Sequence, residues 1–158
     1  MLNEERIFEY IQKYDLVLLM NTISFPFNTM ISYLFGLILY ISDILSISDI
    51  LFIQLCVIIC TILKIIIKRP RPYQQYNFVQ KLSLKKKYSS TAQYSFPSGH
   101  ALLSTLFILI ITHKYNCNYL HIIPFLVMAS RVYLGVHYIS DVIAGYILAI
   151  LLFKIFYI

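Results

Sequence analysis

The chain has 158 residues, of which 59% are hydrophobic and 13% are charged, and its formal net charge is +6. With a mean hydropathy of +0.75 this composition excludes an ordinary soluble domain and is typical of an integral membrane protein. The length allows one domain, residues 1–158, without a linker or internal repeat. The three cysteines make no disulfide framework, and Cys56 and Cys60 are expected in the core.

The first predicted element is an N-terminal amphipathic helix that lies in the membrane interface. Its apolar side chains share one helical face: Ile7, Phe8, Tyr10, Ile11 and Tyr14. The continuation LVLLMNTI enters the bilayer in part, and Pro26 is expected to end the helix. The segment is too polar and acidic for a secretory signal peptide, so no cleavage is expected.

Five apolar runs follow, at residues 27–42, 49–67, 98–115, 119–135 and 138–157. Each has close to the ~20 residues that a membrane-spanning helix needs. The predicted fold class is therefore all-α, an integral membrane helical bundle with about five transmembrane helices. Six spans result if residues 7–24 also cross.

Charge is distributed unevenly along the chain. Ten Lys or Arg and no Asp or Glu occur between Ile50 and Ser140, and Asp141 is the one acid after Asp49. This pattern indicates an anionic ligand, or equally a basic loop that contacts anionic lipid headgroups. Segment 68–97 carries seven of these cations, so the positive-inside rule places it in the cytoplasm.

Three polar segments are expected at one end of the bundle, given the order of the crossings. They are Lys64–Pro72, Pro97–His100 and Ser130–Asp141, and they read K-x6-R-P, P-S-G-H and S-R-x5-H-x3-D. This ordered set resembles the signature of the type 2 phosphatidic acid phosphatase superfamily, which also includes vanadium haloperoxidases. The resemblance covers residues 64–141, about half of the chain, and the apolar spans exclude a soluble haloperoxidase.

The register of the first motif pairs Lys64 with Arg71, because Arg69-Pro70 would require a lysine at Ile62. Lys68 and Arg69 are therefore expected only to flank the motif. Taken alone, Lys64 also fits a lysine that snorkels from a helix end.

The residue types suit phosphate chemistry. Lys64, Arg71 and Arg131 supply three positive charges, and arginine can bind phosphate oxygens in pairs. Ser98 and Gly99 at a helix start are expected to add backbone N–H donors. His137 and Asp141 lie four residues apart and share a helix face, where a carboxylate can hold one imidazole nitrogen.

The resemblance implies a role for each reacting group. His137 is the nucleophile that forms a phosphohistidine, Asp141 orients it, and His100 protonates the leaving oxygen and later helps activate water. No cofactor or metal is expected. His100, His137 and Asp141 would also fit a metal site, but the surrounding cations would repel the ion.

The sequence thus predicts a multi-pass membrane protein of the endoplasmic reticulum or plasma membrane that hydrolyses a lipid phosphate or an isoprenoid diphosphate. FPSGHA is most similar to the isoprenoid diphosphate branch, and phosphatidic acid is the alternative substrate. Its partners are the bilayer and its lipids, with no nucleic acid. The rival functions are a lipid phosphotransferase and a silent protein that binds anionic lipid; the second is disfavoured because every motif residue is present.

Overall fold

The computed structural model describes residues 4–76 and 93–158, and eight α-helices account for most of these residues. The helices are α1 (Glu4–Ile11), α2 (Val17–Ser24), α3 (Thr29–Ile41), α4 (Ile47–Ile67), α5 (Pro72–Gln75), α6 (Gly99–Tyr115), α7 (Ile122–Tyr133) and α8 (Ile139–Phe156). Short 3-10 turns at Phe25–Phe27 and Asn118–His121 precede α3 and α7. Four lysines of the cationic segment, Lys81, Lys85, Lys86 and Lys87, lie outside the described residues.

Helix α6 is the centre of the bundle and packs against α3, α4, α7 and α8. Most of its side chains are buried, as expected of a helix that is apolar on every side. Phe107 of α6 contacts Phe27 and Phe35, with ring centroids 6.3 and 5.3 Å away. Cys56 and Cys60 of α4 are buried in the same core, as the sequence predicted.

The outer helices expose apolar faces. On α8 an exposed stripe runs every fourth residue, at Ile143, Ile147, Leu151 and Ile155. A contiguous apolar surface of this kind would be unstable in water and suits contact with lipid. The all-α membrane fold class is confirmed.

Two described helices, α4 and α8, are long and apolar enough to cross a membrane. The segments Val17–Phe27 and Thr29–Ile41 would make a third crossing if they form one span, bent by 61°. Helix α7 has only 12 residues, which corresponds to about 18 Å and is shorter than the ~30 Å hydrocarbon core. The count of five spans stays a prediction.

The N-terminal region differs from the single interfacial helix that the sequence predicted. It forms two helices, α1 and α2, and the chain between them is held by Tyr133 of α7. The Tyr133 hydroxyl donates to the Tyr14 carbonyl and accepts from the Leu16 amide at 2.8 Å. Phe8 is only 1% exposed and contacts the ring of Tyr138, so α1 packs on protein.

A buried polar cluster joins α4, α6 and α8 at one end of the bundle. Asp49 accepts hydrogen bonds from Tyr157 Oη at 2.6 Å and Ser46 Oγ at 2.7 Å, and it pairs with Lys114. Asp49 lies 15 residues before Lys64 on α4, a rise of about 22 Å. This cluster therefore lies at the opposite end of the bundle from the sequence motifs.

Candidate active site

Four helix ends bring the three motifs together. Helix α4 ends just after Lys64, α6 begins at Gly99, α7 ends just after Arg131, and α8 begins just before Asp141. Arg71 and His137 come from the connecting segments beside these ends. The convergence expected from the order of crossings is thus observed in the structure.

Lys64 points into the bundle, toward the segment that precedes His100. Its amine donates to the carbonyl of Pro97 and lies 3.5 Å from the carbonyl of Ser95. A lysine that only snorkelled to the membrane surface would point away from these carbonyls. Lys64 therefore contributes its charge to the interior of the site.

Arg71 holds the loop that carries His137. Its guanidinium donates to the carbonyl of Val136 at 2.8 Å, and the neighbouring Tyr73 amide donates to the carbonyl of Gly135 at 3.3 Å. Gly135 has φ 66°, a left-handed conformation that favours glycine. The first motif thus fixes the turn that delivers His137.

Arg131 is a buried cation with unused donor capacity. It is 7% exposed, and its guanidinium donates to Ser24 Oγ at 3.0 Å. Within residues 4–76 and 93–158, its Nε has no hydrogen-bond partner and no carboxylate lies within ion-pair distance. Burying such a group without a counter-charge is costly, so the arrangement favours an anionic ligand at this point.

His137 is buried next to Asp141. Its Nδ1 lies 3.6 Å from Asp141 Oδ2, beyond hydrogen-bond distance, and has no other partner among the described residues. Burial holds the pKa of His137 well below its ordinary value. The nearby positive charges of Arg71, Lys64 and Arg131 act in the same direction. The imidazole is therefore neutral at pH 7, the form that can act as a nucleophile.

His100 lies in the first turn of α6, inside the same group of charges. Its imidazole interacts electrostatically with four ionisable side chains, those of Arg131, His137, Arg71 and Lys64. The two motif histidines therefore share one electropositive site.

The start of α6 differs from expectation at Ser98. Its amide donates to the backbone carbonyl of Asp141 at 2.9 Å, so this N–H does not serve a ligand, and its hydroxyl caps α6 at the amide of Ala101. Beside Gly99 the space is open: an added Cβ would meet no atom within 4 Å. The first amides of a helix lack intrahelical partners, so the N-terminus of α6 at Gly99 remains suited to bind an anion.

Arg69 has a contact that sequence reasoning missed. Its Nη1 lies 2.7 Å from Asp141 Oδ1 and 2.7 Å from Ser140 Oγ. The sequence did contain a signal, since Asp141 is the one acid near many cations and a buried carboxylate needs a partner. The spacing of the first motif pairs Lys64 with Arg71 as phosphate-binding residues, and it gives Arg69 no role.

The described residues offer no ready ligand set for a metal ion. No group of three or more His, Cys, Asp and Glu side chains is placed to hold a metal ion in the part of the chain that the structure describes.

Comparisons with known proteins agree with the membrane fold. The bundle and the clustered cations define a helical membrane protein with an electropositive site at one end. The chain belongs to the PAP2 superfamily, whose model matches residues 47–158. No curated protein matches the chain.

Two solved structures are similar over most of the chain. The crystal structure of LpxE from Aquifex aeolicus has a TM-score of 0.71 at 21% identity, covering 95% of this chain and 92% of that one. A transmembrane PAP2-type phosphatidylglycerolphosphate phosphatase from Bacillus subtilis has a TM-score of 0.68 at 26% identity, covering 95% and 82%. Family and fold together support a membrane lipid phosphatase.

Proposed function

We propose that this protein hydrolyses a membrane lipid phosphate or isoprenoid diphosphate through a phosphohistidine on His137. The observation that carries this proposal is the buried cation Arg131, whose Nε has no partner among the described residues, in one site with two histidines. A phosphate group would supply the missing counter-charge. Phosphoryl transfer needs mainly positioning and electrostatic stabilisation, which such a site provides.

Lys64, Arg71 and Arg131 are the proposed phosphate-binding side chains, and the open space beside Gly99 leaves room for a phosphate oxygen at the start of α6. Ser98 contributes by capping this helix and anchoring it to α8. The three positive charges neutralise the phosphate as its leaving bond breaks. They take the part that Mg²⁺ plays in many phosphoryl-transfer enzymes.

The chemistry would proceed in two displacements. In the first, the neutral His137 forms a bond to phosphorus and the bond from phosphorus to the leaving oxygen breaks. His100, protonated once the negative charge of the bound phosphate offsets the surrounding cations, gives that oxygen its proton. In the second, water attacks phosphorus, gives its proton to His100, and releases His137 and inorganic phosphate. Asp141 orients His137 and stabilises its positive charge while phosphorylated.

The lipid character of the substrate is supported by the surroundings of the site. Helices α4 and α8, whose ends carry Lys64 and Asp141, expose apolar faces along their length. The headgroup can then reach the helix ends while the tail stays in the bilayer. An isoprenoid diphosphate is the favoured substrate and phosphatidic acid the alternative.

Phosphate release by the purified protein in detergent tests the proposal. The panel contains farnesyl diphosphate, phosphatidic acid and phosphatidylglycerolphosphate, each assayed in excess EDTA, with the His137→Ala protein prepared in parallel. The expected result is release of inorganic phosphate that the chelator leaves unchanged and that vanadate inhibits. Activity that EDTA abolishes and Mg²⁺ or Zn²⁺ restores would contradict the metal-independent mechanism. A new phosphodiester in place of phosphate would indicate a phosphotransferase.

A further inference from the structure

Arg69 lies outside the matched spacing of the first motif, two residues before Arg71. Its guanidinium nonetheless bridges two residues at the start of α8, through the 2.7 Å contacts of Nη1 with Asp141 Oδ1 and Ser140 Oγ. The same group stacks on the ring of Tyr138, with its central carbon 4.0 Å from the ring centroid. Three contacts around one guanidinium, all with residues 138–141, indicate a specific interaction.

The two oxygens of Asp141 are held from two sides. Oδ1 accepts from Arg69, and Oδ2 accepts from the backbone amide of Tyr138 at 2.9 Å. Oδ2 is also the oxygen that faces His137 Nδ1, at 3.6 Å. A carboxylate held at both oxygens cannot rotate freely, so Arg69 and the Tyr138 amide together fix the direction in which Oδ2 is presented to the imidazole.

The backbone of Arg69 adds a second connection. Its carbonyl accepts from the amide of Ser95 at 2.8 Å, and Ser95 lies two residues before the P-S-G-H motif. Through its backbone and side chain, Arg69 therefore joins the segment after α4, the segment before α6 and the start of α8. A cation that only flanked the motif would have neither connection.

We propose that Arg69 is a positioning residue that acts through Asp141 on the nucleophile His137. The kinetic consequence of this inference rests on the proposed function, whereas the contacts of Arg69 do not depend on it. Arg69 is not assigned to the phosphate, because its positive charge is paired with the Asp141 carboxylate, whereas Lys64 and Arg131 are in no such ion pair among the described residues. Its removal should therefore lower the rate of the chemical step and leave substrate binding unchanged.

Arg69→Gln is the test variant, and Lys68→Gln is the matched control because it removes the adjacent positive charge. We expect Arg69→Gln to lower kcat by about 10- to 100-fold, the loss typical when the outer partner that orients a functional histidine or carboxylate in a metal site is removed, with KM within about twofold. Lys68→Gln should match the wild-type protein. Arg69→Lys should fall between, since an ammonium cannot reproduce the planar stacked bridge.

A double-mutant comparison separates positioning from a general effect on folding. In single-turnover measurements, the Arg69→Gln/Asp141→Asn protein should be no slower than Asp141→Asn alone, because Arg69 acts only through that carboxylate. If the losses in single-turnover rate caused by the two substitutions multiply in the double variant, the proposal is overturned. An Arg69→Gln protein with wild-type kcat, or one with raised KM and unchanged kcat, would also overturn it. If Arg69→Gln does not give a monodisperse protein, Arg69→Lys carries the same comparison, and a wild-type kcat there would overturn it.

A readout without turnover keeps this inference separate from the proposed function. The chain has four histidines, so the ¹⁵N signals of His137 can be assigned by comparison with His137→Ala. Arg69→Gln should shift these signals and Lys68→Gln should not. Unchanged His137 signals in Arg69→Gln would contradict the inference even if the wild-type protein is an active phosphatase. Shifted signals in an inactive wild-type protein would instead contradict the proposed function alone.

Discussion

The amide of Ser98 donates a hydrogen bond of 2.9 Å to the carbonyl of Asp141, which joins the start of α6 directly to the first turn of α8. The second and third sequence motifs, which carry His100 and His137, are thus connected through their backbones. Small shifts between α6 and α8 should therefore change the distance between the two histidines.

Gly145 allows this close approach of α8 to α6. A methyl group at Gly145 would overlap the carbonyl oxygen of Ser98 and come within 3.2 Å of the Ala101 Cβ. We predict that Gly145→Ala destabilises the protein by about 1–3 kcal/mol, as overpacking does, and lowers phosphatase activity. Thermal unfolding in detergent and phosphate release measure the two effects.

Gly36→Ala in α3 is the matched control, because its added Cβ would lie 3.8 Å from the Phe107 ring, an ordinary contact. It should keep full activity and unchanged or slightly raised stability, since alanine favours helix. A Gly145→Ala protein as stable and active as Gly36→Ala would contradict the close contact between α6 and α8.

The sequence predicted the helical membrane fold and the gathering of the motifs, because apolar run lengths and the order of crossings determine both. It did not predict that the Ser98 amide is used by Asp141, or that Arg69 contacts this residue. Each contact joins residues more than 40 positions apart and depends on how helices pack. The break between α1 and α2 was missed for the same reason, since the hydroxyl that holds it belongs to Tyr133, 117 residues after Leu16.

The Asp49 cluster should stabilise the bundle without affecting the chemistry, because it lies at the opposite end of α4. Asp49→Ala removes the partner of Lys114 and the hydrogen bonds from Tyr157 and Ser46. We expect a loss of about 1.5–3 kcal/mol in unfolding free energy. Tyr157→Phe, which removes one hydrogen bond, should cost about 1 kcal/mol.

Both variants should retain wild-type kcat at temperatures well below their unfolding transitions. A drop in kcat for Asp49→Ala while the protein remains folded would show that the two ends of the bundle are coupled, contrary to this expectation.

The pKa of His137 should be measurably low. Because burial and three nearby cations disfavour the imidazolium, the His137 ¹⁵N signals should begin to titrate only well below the ordinary pKa of ~6.5. Since the unfolded chain would bind this proton first, His137 contributes stability that is fully present above pH ~6.5 and is lost as the pH falls below it. An ordinary titration near pH 6.5 in the folded protein would contradict the buried, cation-surrounded site.

The proposed role of His100 as general acid predicts that the loss of rate in His100→Ala depends on the leaving group. A lipid alcohol leaves poorly without a proton, so His100→Ala should slow formation of the phosphoenzyme from phosphatidic acid by about 10²–10⁴-fold. A nitrophenol leaves readily without protonation, so the loss with a nitrophenyl phosphate should be much smaller. Rapid-quench measurement of the first step checks this. Equal losses with both substrates would assign His100 another role.

Trapping of the phosphoenzyme tests the central claim, that His137 is the nucleophile. The wild-type protein is mixed with ³²P-labelled substrate, quenched within milliseconds and analysed for protein-bound phosphate under alkaline and acidic conditions. We predict a phosphoenzyme that is stable in base and labile in acid, and that is absent from folded His137→Ala protein. An acid-labile phosphoenzyme that persists in His137→Ala would contradict the account.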